Sequence, residues 1–182
     1  SKTIPDLGLQ EEDKVPKSDP FITQFLHDEL SLLFSYVTDS VLENNPRDLV
    51  EKALRILLKR TQAEKVGFLS LDTAEFLLKQ VLPADTSLDL VLSKTLTNEA
   101  VARKKTVWLL QEQVGIEADS LRSMKDAVCL LVKCKPPGSD DENILGAVHL
   151  YNSKFFNFKD VRFAEFLVDC LANSLHVLRL RR

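Results

Sequence analysis

The chain is poor in glycine, with 5 in 182 residues, and has one methionine, one tryptophan and three cysteines. No glycine-rich phosphate loop, GxSxG, kinase signature, CxxC or HExxH occurs, so no familiar nucleotide, nucleophile or metal motif is present. Three cysteines are an odd number and close no disulfide framework, which points to reduced thiols and a cytoplasmic setting. There is no basic excess: 24 Lys and Arg against 27 Asp and Glu leave a net charge of −3, and nothing advertises nucleic-acid binding. No apolar run approaches the roughly 20 residues of a membrane span. The first residues, SKTIPDLGLQEEDKVPKSDP, lack the apolar centre of a secretory leader and begin without Met, so the chain reads as a fragment or processed product.

What is present is ordinary for a folded domain: 45% apolar and 28% charged residues. A compact chain of this length has a radius of gyration of about 16 Å and can build a core without staples. Residues 1–18 hold Pro5, Gly8, Pro16 and the pair Glu11 and Glu12, and read as a linker to a domain over 19–182. Asp19-Pro20 is a helix start, with a capping carboxylate before a proline that needs no hydrogen bond. Ile22, Leu26, Leu30, Leu33, Phe34, Val37 and Val41 then fall at three- and four-residue spacing, one face of a helix. Asn44-Asn45-Pro46 ends that helix and starts a second, whose apolar face runs from Leu49 to Leu58, with the helix reaching about residue 62.

The pattern then becomes extended. VGFLSL (66–71) and EFLLKQVL (75–82) predict a hairpin, closed by Pro83. SKTLTNEAVARKK (93–105) predicts a helix with Leu96, Ala100 and Val101 on one face, and VWLL (107–110) a short strand. DAVCLLVKCK (126–135) has five consecutive apolar residues, which predicts a central strand buried on both sides, with Cys129 and Cys134 on opposite faces. The breakers in PPGSDDEN turn the chain into ILGAVHLY (144–151), where Gly146 marks a close approach or a weak point. Asn157 caps a last helix by accepting from the N–H of Asp160. In that helix Val161, Ala164, Val168, Leu171, Leu175 and Leu178 form one stripe, and Phe163, Leu167, Cys170 and Val177 a second. Two stripes need two partners: one the sheet, the other a helix or a second subunit.

The three histidines, His27, His149 and His176, read as surface or satisfied core imidazoles. Asp140, Asp141 and Glu142 read as a solvated turn tip, Lys104 and Lys105 as a solvated helix end, and the final arginines as complements to the helix dipole. With no catalytic constellation, the expectation is binding or regulation and not an enzyme.

The order helix, helix, hairpin, helix, short strand, long loop, hairpin, long helix resembles that of GAF domains. DLVEKALRILLKRTQAEKVGFLSLD (48–72) is similar to their opening helix and first strand, and SKTLTNEAVARKKTVWL (93–109) to their central helix and short strand. GAVHLYNSKFFNFKDVRFAEFLVDCLANSL (146–175) is similar to their last strand, F-x-x-x-D turn and closing helix. The resemblance covers about residues 28–180. It implies an α+β, profilin-like fold: an antiparallel sheet of five or six strands, terminal helices on one face and a ligand pocket on the other. The pocket is expected to draw on Phe68, Thr95, Asn98, Trp108, Glu117, Ser120 and Cys129.

The cyclic-nucleotide branch of the family carries N-K and F-x-x-x-D-E. Asn152, Phe156 and Asp160 match it, while Ser153 replaces the Lys and Val161 the Glu. A cyclic nucleotide is therefore one candidate ligand with two of its contacts missing. Cys129 and Cys134 lie in a strand without an adjacent His, unlike the bilin-binding branch, and no cofactor is expected. The resemblance implies a small-molecule-sensing, dimerising module of a larger bacterial signalling or transcription-regulatory protein, with a homodimer through the first and last helices. One alternative is a dimerisation spacer whose pocket is filled by Phe68, Phe76 and Trp108. Another is a sulfoxide reductase of the kind built on this scaffold, which needs cysteines gathered on the pocket loops. Neither a membrane nor a nucleic acid is an expected partner.

Overall fold

The computed structural model describes residues 20–72, 78–85, 94–110 and 126–181. Its elements are α1 (Pro20–Ser40), α2 (Pro46–Arg60), β1 (Lys65–Ser70), β2 (Lys79–Leu82), α3 (Lys94–Arg103), β3 (Val107–Leu110), β4 (Asp126–Cys134), β5 (Asn143–Asn152) and α4 (Phe158–Leu180). The expected linker, 1–18, lies outside the described residues, as does the first part of the expected second strand, 75–77.

The five strands form one antiparallel sheet in the order β2-β1-β5-β4-β3. β4 is internal and buried on both faces, but the middle position belongs to β5, which pairs with β1 on one side and β4 on the other. Both are long apolar runs, and composition alone does not rank two such strands.

Helices α1, α2 and α4 cover one face. Val66 and Phe68 of β1, Val128, Leu130 and Val132 of β4, and Val148 and Leu150 of β5 pack there against Leu49, Leu54 and Leu57 of α2 and Val161, Ala164, Leu167, Val168 and Leu171 of α4. The other face lies under α3, where Leu96 and Ala100 meet Val107, Leu109, Ala127, Cys129, Leu131, Ala147 and Tyr151. Cys129 and Cys134 do fall on opposite faces.

The helix ends follow their local chemistry. Asn45 caps α2 by accepting from the Arg47 N–H, and Asn157 caps α4 by accepting from the Asp160 N–H at 2.8 Å. α2 stops at Arg60, short of residue 62, because Thr61 turns extended while its N–H and hydroxyl both bond the Leu57 carbonyl. Asp160 is buried, and burial raises its pKa; a backbone bond from Gln62 and the charge of Arg60 act against that rise. That side chain therefore joins the start of α4 to the end of α2.

α1 departs from its expected orientation. The residues it turns inward are Tyr36 and Ser40; the Tyr36 hydroxyl donates to the Leu49 carbonyl at 3.0 Å and the Ser40 hydroxyl to the Tyr36 carbonyl at 2.6 Å. Leu33 is half-buried, whereas Leu30, Phe34, Val37 and Val41 are 63%, 75%, 41% and 56% exposed. Most of the described part of the helix's apolar stripe thus faces away from its own core. Among the described residues, no helix is long and apolar enough to cross a membrane.

Candidate functional site

The two sheet faces differ in chemistry as well as cover. The face under α2 and α4 is lined by Val, Leu and Phe. The face under α3 has small residues at its centre, Gly67, Ala127 and Ala147, and a polar group among them, His149. Strand register places His149 between Gly67 of β1 and Cys129 of β4. The imidazole is fully buried, and its Nε2 lies 2.8 Å from the hydroxyl of Thr97 on α3. The Tyr151 ring lies two residues along the same face, nearly parallel to the imidazole, with ring centroids 6.4 Å apart. Thr97, His149 and Tyr151 therefore make a buried polar and aromatic group among the apolar side chains of this face, a composition of the kind that orients a small guest by a few hydrogen bonds.

Cys129 sits beside this floor, opposite His149. Burial pushes its thiol up to about 12, so it remains protonated near neutrality and packs as an apolar group. Cys134 lies on the helical face and Cys170 on α4, both with thiols raised by burial. The three cysteines do not converge. Among the described residues, no three His, Cys, Asp or Glu side chains gather as a metal ion would require.

Of the seven expected pocket residues, the five that are described do not lie together. Cys129 is on the face under α3. Phe68 and Trp108 are on the opposite face, packed with the helices. The Trp108 indole donates to the Asp126 carboxylate at 2.5 Å, and the other oxygen of that buried carboxylate accepts from the Phe156 N–H at 2.8 Å. This arrangement fastens the β3–β4 edge to the approach to α4. Thr95 and Asn98 are exposed on the outer side of α3. Glu117 and Ser120 lie outside the described residues.

Thr97 and Tyr151 are not among the residues the sequence singles out, and His149, which the sequence leaves as a surface or core imidazole, is in the core with its Nε2 against the Thr97 hydroxyl. Two signals locate them. Thr97 falls four residues before Val101, on the inward face of α3, and His149 and Tyr151 alternate with Val148 and Leu150 along β5.

A second concave feature runs between α1 and α4 on the outside of the helical layer. Val37, Val41, Cys170, Asn173, Val177 and Arg181 line a groove of about 180 Å³. The Arg181 guanidinium closes one end by donating to the Val41 carbonyl at 2.9 Å. Arg179 pairs with Asp72 at the end of β1, so the last turn of α4 is tied both to α1 and to the sheet.

No family model matches the sequence, and no curated protein matches it. Solved structures match in fold. The GAF domain of a two-component sensor histidine kinase from Bacillus halodurans superposes with a TM-score of 0.58 at 18% identity, over 74% of this chain and 95% of that one. The GAF domain of an Acinetobacter phosphoenolpyruvate-protein phosphotransferase gives 0.63 at 12% identity, over 83% and 94%. The free methionine-R-sulfoxide reductase of Neisseria meningitidis, solved with its substrate, gives 0.63 at 13% identity, over 85% and 92%.

The last match corrects the expectation that this chain is not an enzyme. Free-standing enzymes are built on the same scaffold, so neither the fold nor the lack of a sequence motif excludes catalysis. The physical reason is that activity resides in a site grafted onto a fold and not in the fold itself.

Proposed function

We propose that this chain, which has the GAF fold, is a small-molecule-sensing and dimerising module of a multidomain signal-transduction or transcription-regulatory protein. The observation that carries the reading is the asymmetry of the sheet. Three helices seal one face, while the other lies under the ten-residue α3 and holds the polar pair His149 and Thr97. A guest would be oriented by Thr97, His149 and Tyr151 in an apolar surround, with Cys129 as a packing wall. The exposed stripe of α1 and the groove beside α4 support a homodimer through the first and last helices. Three free cysteines support a cytoplasmic setting.

The test is thermal unfolding with cyclic nucleotides, nucleobases and small carboxylic acids. A ligand at 100 times its dissociation constant adds about 2.7 kcal/mol and raises the melting temperature, and Thr97→Ala reduces that rise. If every compound leaves the transition unmoved, sensing fails. The alternative is then a dimerisation spacer with a filled interior, favoured by the complete burial of Leu96, Ala100 and His149.

A further inference from the structure

β3 has four residues and lies at the edge of the sheet, where β4 is its one strand partner among the described residues. Its two faces meet different helices. Val107 and Leu109 pack with Leu96 and Ala100 of α3. Thr106, just before the strand, and Trp108 have the opposite parity and turn towards the helical layer. Both end on groups that hold α4. The Thr106 hydroxyl donates to the Glu165 carboxylate, in the body of α4, at 2.9 Å. The Trp108 indole donates to Asp126, whose other oxygen accepts from the N–H of Phe156, two residues before α4 begins.

The link from α3 to β3 has no slack. Three residues, 104–106, separate Arg103 from Val107. The N–H groups of Lys104 and Lys105 bond the carbonyls of Val101 and Ala100. The Lys133 ammonium of β4, paired with Glu142 at 3.3 Å, donates to the Lys104 carbonyl at 3.2 Å. A shift of α3 therefore reaches β3 instead of being absorbed in a loop. β4 and β5, with nine and ten residues and a strand partner on both sides, are held more firmly. α3 has to shift for a guest to reach its site, because Leu96, Thr97, Ala100, His149 and Tyr151 are all buried where α3 meets the sheet.

We propose that β3 is a strap coupling α3 to α4: a displacement of α3 draws β3 with it, loosens the Thr106–Glu165 and Trp108–Asp126 bonds, and releases the first turns of α4 from the sheet edge. The proposal rests on the sensing reading above and names the route by which that site acts on the last helix. Coupling is a free energy shared by the two elements, so loosening α3 by substitution acts on α4 as a guest would.

Hydrogen exchange of the full chain, read segment by segment with no ligand added, tests this. Ala100→Gly weakens α3 through helix propensity and a lost methyl, and Asn98→Gly, on the exposed side, does so without touching the core. Either is expected to speed exchange several-fold in α3 and in residues 162–169 of α4, with α2 unchanged. Emission from Trp108, the chain's single tryptophan, is expected to move to longer wavelength in the same variants. Thr106→Val alone is expected to speed exchange in α4, after which loosening α3 adds nothing there; Thr106→Ser keeps the response. Exchange in α4 that ignores the loosening of α3 overturns the strap. So does a response undiminished by Thr106→Val, an unmoved Trp108 emission, or a rise shared equally by α2, which is general loosening. The sensing reading falls on a different measurement, the absence of any thermal shift with the compounds above, so the two fail separately.

Discussion

At position 146 the strand backbone comes close to its neighbours. A Cβ built there would lie 2.7 Å from the Leu69 carbonyl oxygen and 2.7 Å from the tip of the Phe68 ring. The Phe68 ring occupies the space that a side chain would fill, at a point where β5 is irregular against Val132 and Lys133 of β4. Gly146→Ala must displace backbone as well as a ring, and a loss of about 1–3 kcal/mol is expected in urea unfolding. Glu165 of α4 gives a prediction of opposite sign. Burial raises its pKa above the ordinary 4.5, and Asp169 adds to the rise, against a Thr106 hydroxyl that donates to it at 2.9 Å and the charges of Arg162 and Lys133. A carboxyl raised in the folded state contributes stability below its unfolded pKa and loses it as pH rises through the folded value. Glu165→Gln keeps an acceptor for Thr106 and removes the charge. The variant is expected to melt above wild type at pH 7, with the difference vanishing below about pH 4.

Among the elements, α3 carries a similar local expectation at its end. Lys104 has φ of +54°, and the N–H groups of Lys104 and Lys105 bond the carbonyls of Val101 and Ala100, the paired closure of a helix that favours glycine at the left-handed position. Lys104→Gly is expected to stabilise the domain by about 0.5–1 kcal/mol, read as a shift in denaturant midpoint at constant slope. The elements themselves were largely legible, because proline, asparagine and glycine punctuate the chain and the apolar spacing changes from helical to alternating after residue 62. Which face each element presents was less so. VGFLSL is apolar at both parities, so nothing in it assigns Phe68 to the helices and Gly67 to the α3 side; the pairing with β5 decides that. In α3, the sequence points to Thr95 and Asn98 for the pocket, but the residues turned inward are Leu96, Thr97 and Ala100. In α1 the periodicity of Leu30, Phe34, Val37 and Val41 was plain, but a stripe records that something apolar covers it and not what.

For the whole molecule, the dimer proposed through α1 and α4 would link folding to mass action. The melting temperature is expected to fall on tenfold dilution. Phe34→Glu, at a position 75% exposed in the single chain, is expected to abolish that dependence without unfolding the domain. Calorimetry at two concentrations checks both statements, and a variant that still melts in a concentration-dependent way places the interface elsewhere.

The strand order has a further effect, in time. β5 sits in the middle of the sheet but is the last strand along the sequence, so β1 waits on its unpaired side for partners 76 to 86 residues away, as in Ser70 with Gly146 and Lys65 with Tyr151. During synthesis the β1–β2 hairpin emerges first and cannot bury its open edge until residue 152 has left the ribosome. The nascent chain therefore passes through an interval in which two half-sheets each offer a bare edge to any neighbour, and that interval, more than the finished fold, sets its exposure to aggregation.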